Sequence, residues 1–462
     1  MWGIEITRQS EMSLARQIYQ SIRDGIFAGR IPPGEALPST RALAGQLAVA
    51  RNTVNEAYDM LLAEGFITSQ QGAPTRVAAG LQLEKTAPQH SPSPPAAAAQ
   101  PYLADFRTGQ PDLRSFPRSA WNRVLREAAE ALPLDQFGYT GPEGLPGLRA
   151  EIAAWLFRSR GLSINPRSVF VTAGATHALH LLADLLYKEG HEMLIEDPCH
   201  TGMLRALQGK SHPLRPVPVD CHGLRTDSLN GYGASAVYVT PSHQFPLGGI
   251  LPAQRRAALV RFARERDLYI IEDDYDGEFR FTGAPVAPLY SLDPQRVIYV
   301  GTFSKILFPA LRIGYAVLPE ALHERWRFLR THADVQNPPF EQAALAEFLR
   351  ARKLDRHVQK MRKVYRQRRE VLLQALKETF GDSWQPWGDA AGLHIAVAFS
   401  GRRFDQAYIA LCQQHRVRAI PVEHHSIQKG VHLDKLLLGY GHLQPTQIRD
   451  GVELLGKVIR EI

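Results

Sequence analysis

The sequence predicts an α/β protein in two parts. A small head of three helices and a β-hairpin precedes a large body built on a largely parallel sheet with helices on both faces and a smaller C-terminal α+β subdomain. Three observations predict this. From Asp105 onward short apolar runs (VFVTA, MLIED, AVYVT, LYIIED, VIYVG) alternate with amphipathic helical stretches, the pattern of strands buried on both faces. Residues 1–80 instead carry three closely spaced helical periods followed by two short β-prone runs. Between them the stretch LQLEKTAPQHSPSPPAAAAQ has no hydrophobic period, so residues 81–104 read as a semi-extended Pro/Ala-rich linker and 105–462 as the body.

A chain of 462 residues is too long for one ordinary core. Hydrophobic residues make up 44%, with no apolar run as long as a membrane span, and the N-terminal MWGIEITRQSEMS lacks the apolar segment of a secretion signal. A cytoplasmic location is expected. Cys199, Cys221 and Cys412 are scattered, which fits reduced thiols, and the histidines show no metal-ligand spacing. The net charge of +8 invites a nucleic-acid reading, yet in the head seven arginines are matched by seven carboxylates. Any DNA surface there must come from clustering.

In the head, Leu14, Ile18, Ile22 and Ile26 form the i, i+4 stripe of a first helix that Gly29 ends. Ser39 caps a second helix through Leu47. A third, from Arg51, turns Val54, Ala57, Tyr58, Leu61 and Leu62 inward and stops at Gly65. FITSQ and TRVA then make a wing around QGAP. This is a winged helix-turn-helix whose third helix reads double-stranded DNA. Arg51, Asn52 and Thr53 at its start face base edges, where arginine prefers guanine and asparagine adenine. Arg41, Gly72 and Thr75 are the expected contacts around it, with Arg41 and Gly72 meeting the backbone. The rival reading is a small helical dimerisation domain.

Through LPSTRALAGQL, ARNTVNEAYDMLLAEGFI and QGAPTRV the head resembles the GntR-type winged-helix domain. That family usually has Gly and then Ser or Thr where this chain has Ala48 and Ala50. The third helix therefore lacks its usual capping hydroxyl, a loss of about 1 kcal/mol.

In the body, VIYVGTFSKILFPALRIGY reads as a buried strand, a small-residue turn carrying Lys305, and a return strand after Arg312. A desolvated ammonium is costly unless it has a task. The task that fits is a Schiff base with pyridoxal 5′-phosphate (PLP), with Thr302, Ser304 and Arg312 holding the phosphate. A lone Ser-Lys pair would more simply be a surface loop. The context argues otherwise. At the end of the strand before it, EDDYDGEF offers Asp273 to the pyridine nitrogen and Tyr275 to the ring's phenolic oxygen. Upstream, a strand turns through Gly174 into a helix whose Ala175 and Thr176 amides point at a phosphate.

These segments, with GQPDLRSFPRSAW, YTGPEGLPGLRAEIAAWLFRSRG, TPSHQFPLGGILPAQRR and AAGLHI, resemble the fold-type I aminotransferases from about Asp105 to the C-terminus. The HQFPLG and EDDYD variants resemble the aminotransferase-like half of MocR/GabR-type transcription regulators. The resemblance implies a PLP-dependent, DNA-binding homodimer whose body senses a small amine, an amino acid or PLP itself. The alternative is an active aminotransferase with an appended head. It also implies that His200 stands where a tyrosine usually stacks on the pyridine ring, and Phe245 where an asparagine usually meets the phenolic oxygen, leaving Tyr275 alone there. Aminotransferases acting on α-amino acids place an arginine shortly before the last core strand. Here none occurs between Arg418 and Arg449, and Lys429 and Lys435 are the nearby cations.

Overall fold

The computed structural model describes residues 4, 6–70, 72–80, 101–208, 213–229, 233–283, 286–388 and 391–462. The stretch 81–100, most of the expected linker, lies outside the described residues. The chain divides into two compact units, residues 1–99 and 100–462.

In the first unit, α1 (Leu14–Phe27) is capped by the Ser13 hydroxyl and buries Ile18, Ile22 and Ile26. α2 (Thr40–Leu47) is capped by Ser39, whose hydroxyl accepts from the Ala42 amide at 3.2 Å. α3 (Arg51–Ala63) buries Val54, Ala57, Tyr58 and Leu61 against α1. Leu62 departs from the expected inward set: it is 46% exposed, because it lies a further 100° round the helix from Leu61. β1 (Ile67–Thr68) pairs antiparallel with β2 (Arg76–Val77) to form the wing.

The second unit begins with chain expected in the linker. Pro101 and Leu103 are bonded to Arg416, and Tyr102 lies under the Arg418 guanidinium at 4.2 Å. β3 (Ala104–Asp105) then runs parallel to a late strand. α4 (Arg118–Ala131) and α5 (Pro146–Arg160) lead into β4 (Val169–Thr172), α6 (Ala175–Leu185), β5 (Glu192–Asp197) and α7 (Thr201–Gln208). Next come β6 (Leu214–Asp220), β7 (Gly223–Leu224), β8 (Ala234–Val239), α8 (Ala253–Glu265), β9 (Tyr269–Asp274), β10 (Val297–Thr302) and β11 (Gly314–Val317). These strands form one eight-stranded sheet in the order β4-β11-β10-β9-β8-β5-β6-β7. Its pairings from β10 to β6 are all parallel, and β11 is inserted antiparallel between β10 and β4. The five strand runs read from the sequence are therefore all in the sheet. β6 was not among them: Pro216 and Pro218 interrupt its alternation, which is tolerated because it pairs with β7 only at Val219 and Asp220.

After β11 follow α9 (His323–Ala333), α10 (Pro339–Arg350) and the long α11 (Lys353–Phe380). The C-terminal subdomain holds β12 (Trp384–Trp387), β13 (His394–Phe399), α12 (Gln406–Gln414), β14 (Val417–Arg418), β15 (Ile420–Pro421), β16 (Lys435–Gly439) and α13 (Pro445–Glu461). Its antiparallel sheet has the order β12-β13-β16-β15, and β14 is the partner of β3.

The two alanines that depart from the head's family pattern both occupy demanding positions. Ala48 ends α2 in the left-handed region (φ 50°, ψ 46°), and Ala50 caps α3 with no side-chain acceptor. Ala48→Gly removes a Cβ penalty and Ala50→Ser supplies a hydroxyl, so each should stabilise the head by about 1 kcal/mol. Hydrogen-exchange protection of α3 amides in the full chain measures this; unchanged protection in both variants would refute it.

Candidate functional site

In the body, the carboxyl ends of β4, β9 and β10 open on a cavity of about 240 Å³. Open parallel sheets place ligands there because loops diverge at that edge. Lys305 enters from the turn after β10 and donates to the Gly109 carbonyl oxygen at 2.8 Å. Burial lowers the lysine's pKa from its ordinary value. Gly109 has φ +72°, a conformation that favours glycine, and a Cβ there would lie 2.8 Å from Nζ and displace the ammonium.

One end of the cavity is built for an anion. Gly174 (φ +88°) precedes α6 without a side-chain cap, leaving the first-turn N–H groups of Ala175 and Thr176 to other partners. A Cβ on Gly174 would lie 2.8 Å from Arg312 Nη2, so the guanidinium packs directly on this turn, where it donates to the Ala173 carbonyl oxygen. Thr302 and Ser304 are buried beside it, their hydroxyls 3.1 Å apart. Arg312 is itself left-handed (φ 51°), and its carbonyl accepts from Asn337.

At the other end Asp273 Oδ2 accepts from the Tyr238 hydroxyl at 2.9 Å, while Oδ1 is buried without a partner. Burial pushes this carboxyl up to about 7, against the Tyr238 bond that lowers it. Tyr275 is committed differently from the sequence expectation. Its hydroxyl lies 3.0 Å from His243 Nδ1, which is 3.1 Å from both Asp276 oxygens. The ligand atoms of His243, Asp276 and His394 come within 4.8 Å of one another, a cluster that chain spacing conceals; His394 Nε2 also meets the Pro246 carbonyl oxygen at 3.1 Å. His200 lines the cavity beside Phe245, ring centroids 5.4 Å apart, with its Nδ1 buried and unpartnered. His425 packs on Phe245 from another direction. Burial pushes His200 and His394 down to about 4 and His425 to about 3, so all three imidazoles are neutral at pH 7.

Neither lysine near the last strand reaches this space. Lys429 Nζ donates to the carbonyl oxygens of Glu423 and Ser426, and Lys435 pairs with Asp434 at 2.7 Å over the Trp387 ring. Among the described residues, the lysines and arginines lining the cavity are Lys305 and Arg312.

In the head, Arg51 and Asn52 are exposed at the start of α3, and Thr53 is half-buried. Arg51 Nε donates to the Thr40 hydroxyl at 3.3 Å, tying the reader helix to α2, where Arg41 is exposed. Gly72 sits in the wing with φ +81° and Thr75 is half-buried before β2. Asn55 and Glu56, not singled out from the sequence, lie next on the same helix, Glu56 exposed and Asn55 half-buried.

Comparison with known proteins agrees with both halves. Residues 14–77 match the bacterial regulatory proteins of the gntR family, and residues 105–431 match aminotransferase class I and II. The chain is 32% identical to the probable rhizopine catabolism regulatory protein MocR of Rhizobium meliloti, over 97% of this chain and 94% of that one. The chain belongs to the MocR-type transcription regulators. Another member, the pyridoxine biosynthesis regulator PdxR of Corynebacterium glutamicum, is 36% identical over 82% of this chain and 81% of its own. The body of this MocR-type chain also superposes on the crystal structure of an archaeal alanine:glyoxylate aminotransferase, with TM-score 0.73, 26% identity, and coverage of 78% of this chain and 91% of that one. It is a DNA-binding regulator with a fold-type I body, and PLP is its cofactor. The cavity fits that group: an orphaned carboxylate oxygen at Asp273, an uncapped helix start at Gly174 and a desolvated lysine lie in one space. No helix among the described residues is long and apolar enough to cross a membrane.

Purified protein given PLP should absorb near the edge of the visible, and Lys305→Ala should lose that band while keeping its far-UV circular dichroism. A wild type that stays colourless with added PLP would overturn the assignment of Lys305.

Proposed function

We propose that the body is a sensor of a small amine that barely turns it over, and that the head reads DNA through Arg51, Asn52 and Thr53. One observation carries the sensor reading. The cavity holds a lysine, a carboxylate and an anion cradle suited to the cofactor, but among the described residues it offers, beyond Arg312, no arginine for a substrate's α-carboxylate. When bound, PLP supplies an aldehyde reactive toward primary amines and an electron-withdrawing ring. In this reading Arg312, Thr302, Ser304 and the Ala175 and Thr176 amides hold its phosphate, and Asp273 Oδ1 accepts from its ring N–H. His200 flanks the ring, and the Tyr275 hydroxyl, positioned by His243 and Asp276, serves the phenolic oxygen.

Lys305 and an incoming amine suffice for ligand exchange. Repeated turnover also needs the α-carbon fixed over the ring, and a bidentate guanidinium is the usual means. The neutral imidazoles of His200, His394 and His425 can hydrogen-bond a ligand, but carry no charge to clamp a carboxylate. Relatives with the same two-part plan are named for unrelated chemistries, rhizopine catabolism and pyridoxine biosynthesis. That fits one two-part plan serving varied effectors. The effector shifts the population of head arrangements only by as much as it binds one arrangement better. Fold-type I sites are completed across a subunit interface, so the reading includes a homodimer working in the cytoplasm.

Mixing PLP-loaded protein with candidate amines and a keto-acid acceptor should give spectral change with less than a few equivalents of keto product. Sustained turnover over many equivalents would favour the reading of an active aminotransferase with an appended head.

On DNA, Arg51→Ala and Asn52→Ala should each weaken a mapped operator by roughly 1–3 kcal/mol with little effect on unrelated DNA. Arg41→Ala should weaken all sequences alike and flatten the salt dependence. An operator fully retained by Arg51→Ala would show that α3 does not read bases through its first residue.

A further inference from the structure

A second cavity, of about 290 Å³, shares no lining residue with the cofactor pocket. It lies between the last turn of α5, the first turns of α11 and the segment that follows β9. Among the described residues, four in its wall are arginines, Arg158, Arg160, Arg280 and Arg362, against two carboxylates, Glu278 and Asp355.

The polar groups there are poorly matched, and two acceptors, Asp355 Oδ2 and Asp274 Oδ1, are among those buried without a partner. Arg160 is held by Asp274 at 2.7 Å, by Glu278 at 3.3 Å and by the Gly277 carbonyl oxygen at 2.7 Å, yet its Nε is buried without a partner. Arg158 reaches Asp355 only at 3.5 Å and leaves Nη2 buried and unpartnered. Arg280 makes no ion pair among the described residues, and its Nε is orphaned too. Arg362 spends its Nε on the Glu278 backbone carbonyl, also without an ion pair. The Ser242 hydroxyl, buried in the same wall, has no partner. Burial pushes the Glu278 carboxyl's pKa up, against the Arg160 guanidinium that holds it down.

Buried N–H donors without acceptors are costly, and guanidiniums facing one space repel. Water would satisfy the donors but leave the repulsion. A multivalent oxyanion answers both, because guanidinium forks match tetrahedral oxyanions with paired, charge-assisted hydrogen bonds. The cavity, at about 290 Å³, is larger than one such ion and leaves room for the molecule that carries it. We infer that this cavity is a second ligand site, taking a small molecule that carries a phosphate or similar tetrahedral dianion. Through Arg160 its wall is bonded to Asp274, the residue between the cofactor-facing Asp273 and Tyr275.

The test uses full-length protein saturated with PLP, so that the first anion cradle is filled. Inorganic phosphate and sulfate are titrated calorimetrically at constant ionic strength in chloride, with succinate as the dicarboxylate arm. The expected result is saturable binding of the tetrahedral anions, one per chain, and at least tenfold weaker binding in Arg280→Gln and in Arg362→Gln. An unchanged PLP absorbance band in the variants reports an intact body. Should either arginine variant fail to fold, Ser242→Ala is expected to weaken sulfate severalfold. Absence of saturable binding, equal affinity in wild type and every folded variant, or binding of succinate in preference to both tetrahedral anions would overturn the proposal.

Discussion

The body depends on keeping opposite charges desolvated but unpaired in one cavity. Lys305 is held by a backbone carbonyl and Asp273 by a neutral phenol, so neither charge is cancelled directly. Burial drives the ammonium's pKa down and the carboxyl's up, each toward its neutral form. A protein built for stability alone would bond the two together or replace both with apolar groups. What keeps them apart is the sheet. Asp273 is the last residue but one of β9 and Lys305 follows the end of β10, and the parallel register that pairs Val300 with Asp273 fixes their depth in the same edge. The glycines at 109 and 174, both at positive φ, then let Lys305 and Arg312 pack directly on the backbone.

Much of this is legible in the sequence because it is local. Lys305 and Arg312 lie in one strand-turn-strand unit, Asp273 and Tyr275 at one strand end, and Gly174 to Thr176 in one turn. Each carries its own spacing signal. What sequence reading missed is non-local. Gly109, Tyr238, His243, Asp276 and His394 come from five separate segments, and only the fold sets a Tyr275 hydroxyl against an imidazole and a carboxylate. His394 was within reach, since AAGLHI was among the matching motifs, but nothing in that run says its side chain meets His243. The fold's misses are of the same kind. Leu62 has the composition of a core residue and lacks only the angle, and β6 carries prolines that the edge of a sheet can accommodate.

The head shows how a recognition element survives local defects. An alanine in a left-handed helix end and an uncapped reader helix each cost about 1 kcal/mol. Compensation comes from packing and from long-range hydrogen bonds. Arg8 donates to the Ala48 carbonyl oxygen at 3.0 Å, and the Tyr58 hydroxyl donates to that of Pro38 at 2.8 Å, pinning α3 to the start of α2. Arg51 and Asn52 in the first turn of α3 thereby stay exposed.

The way the chain enters the body gives the anchor at Pro101 to Asp105 a mechanical meaning. Those residues are clamped to Arg416 and Arg418, and β3 lies alongside β14. The next residue, Phe106, is bonded to both Arg418 and Gly439, and a few residues on comes Gly109, whose carbonyl holds the Lys305 ammonium. A tug arriving along the polypeptide therefore meets a clasp first and the reactive amine almost immediately after. The same short strip of backbone is bonded to the C-terminal subdomain at Pro101 and to the lysine at Gly109. The carbonyl that holds the amine thus lies eight residues along the chain from the Pro101 clasp.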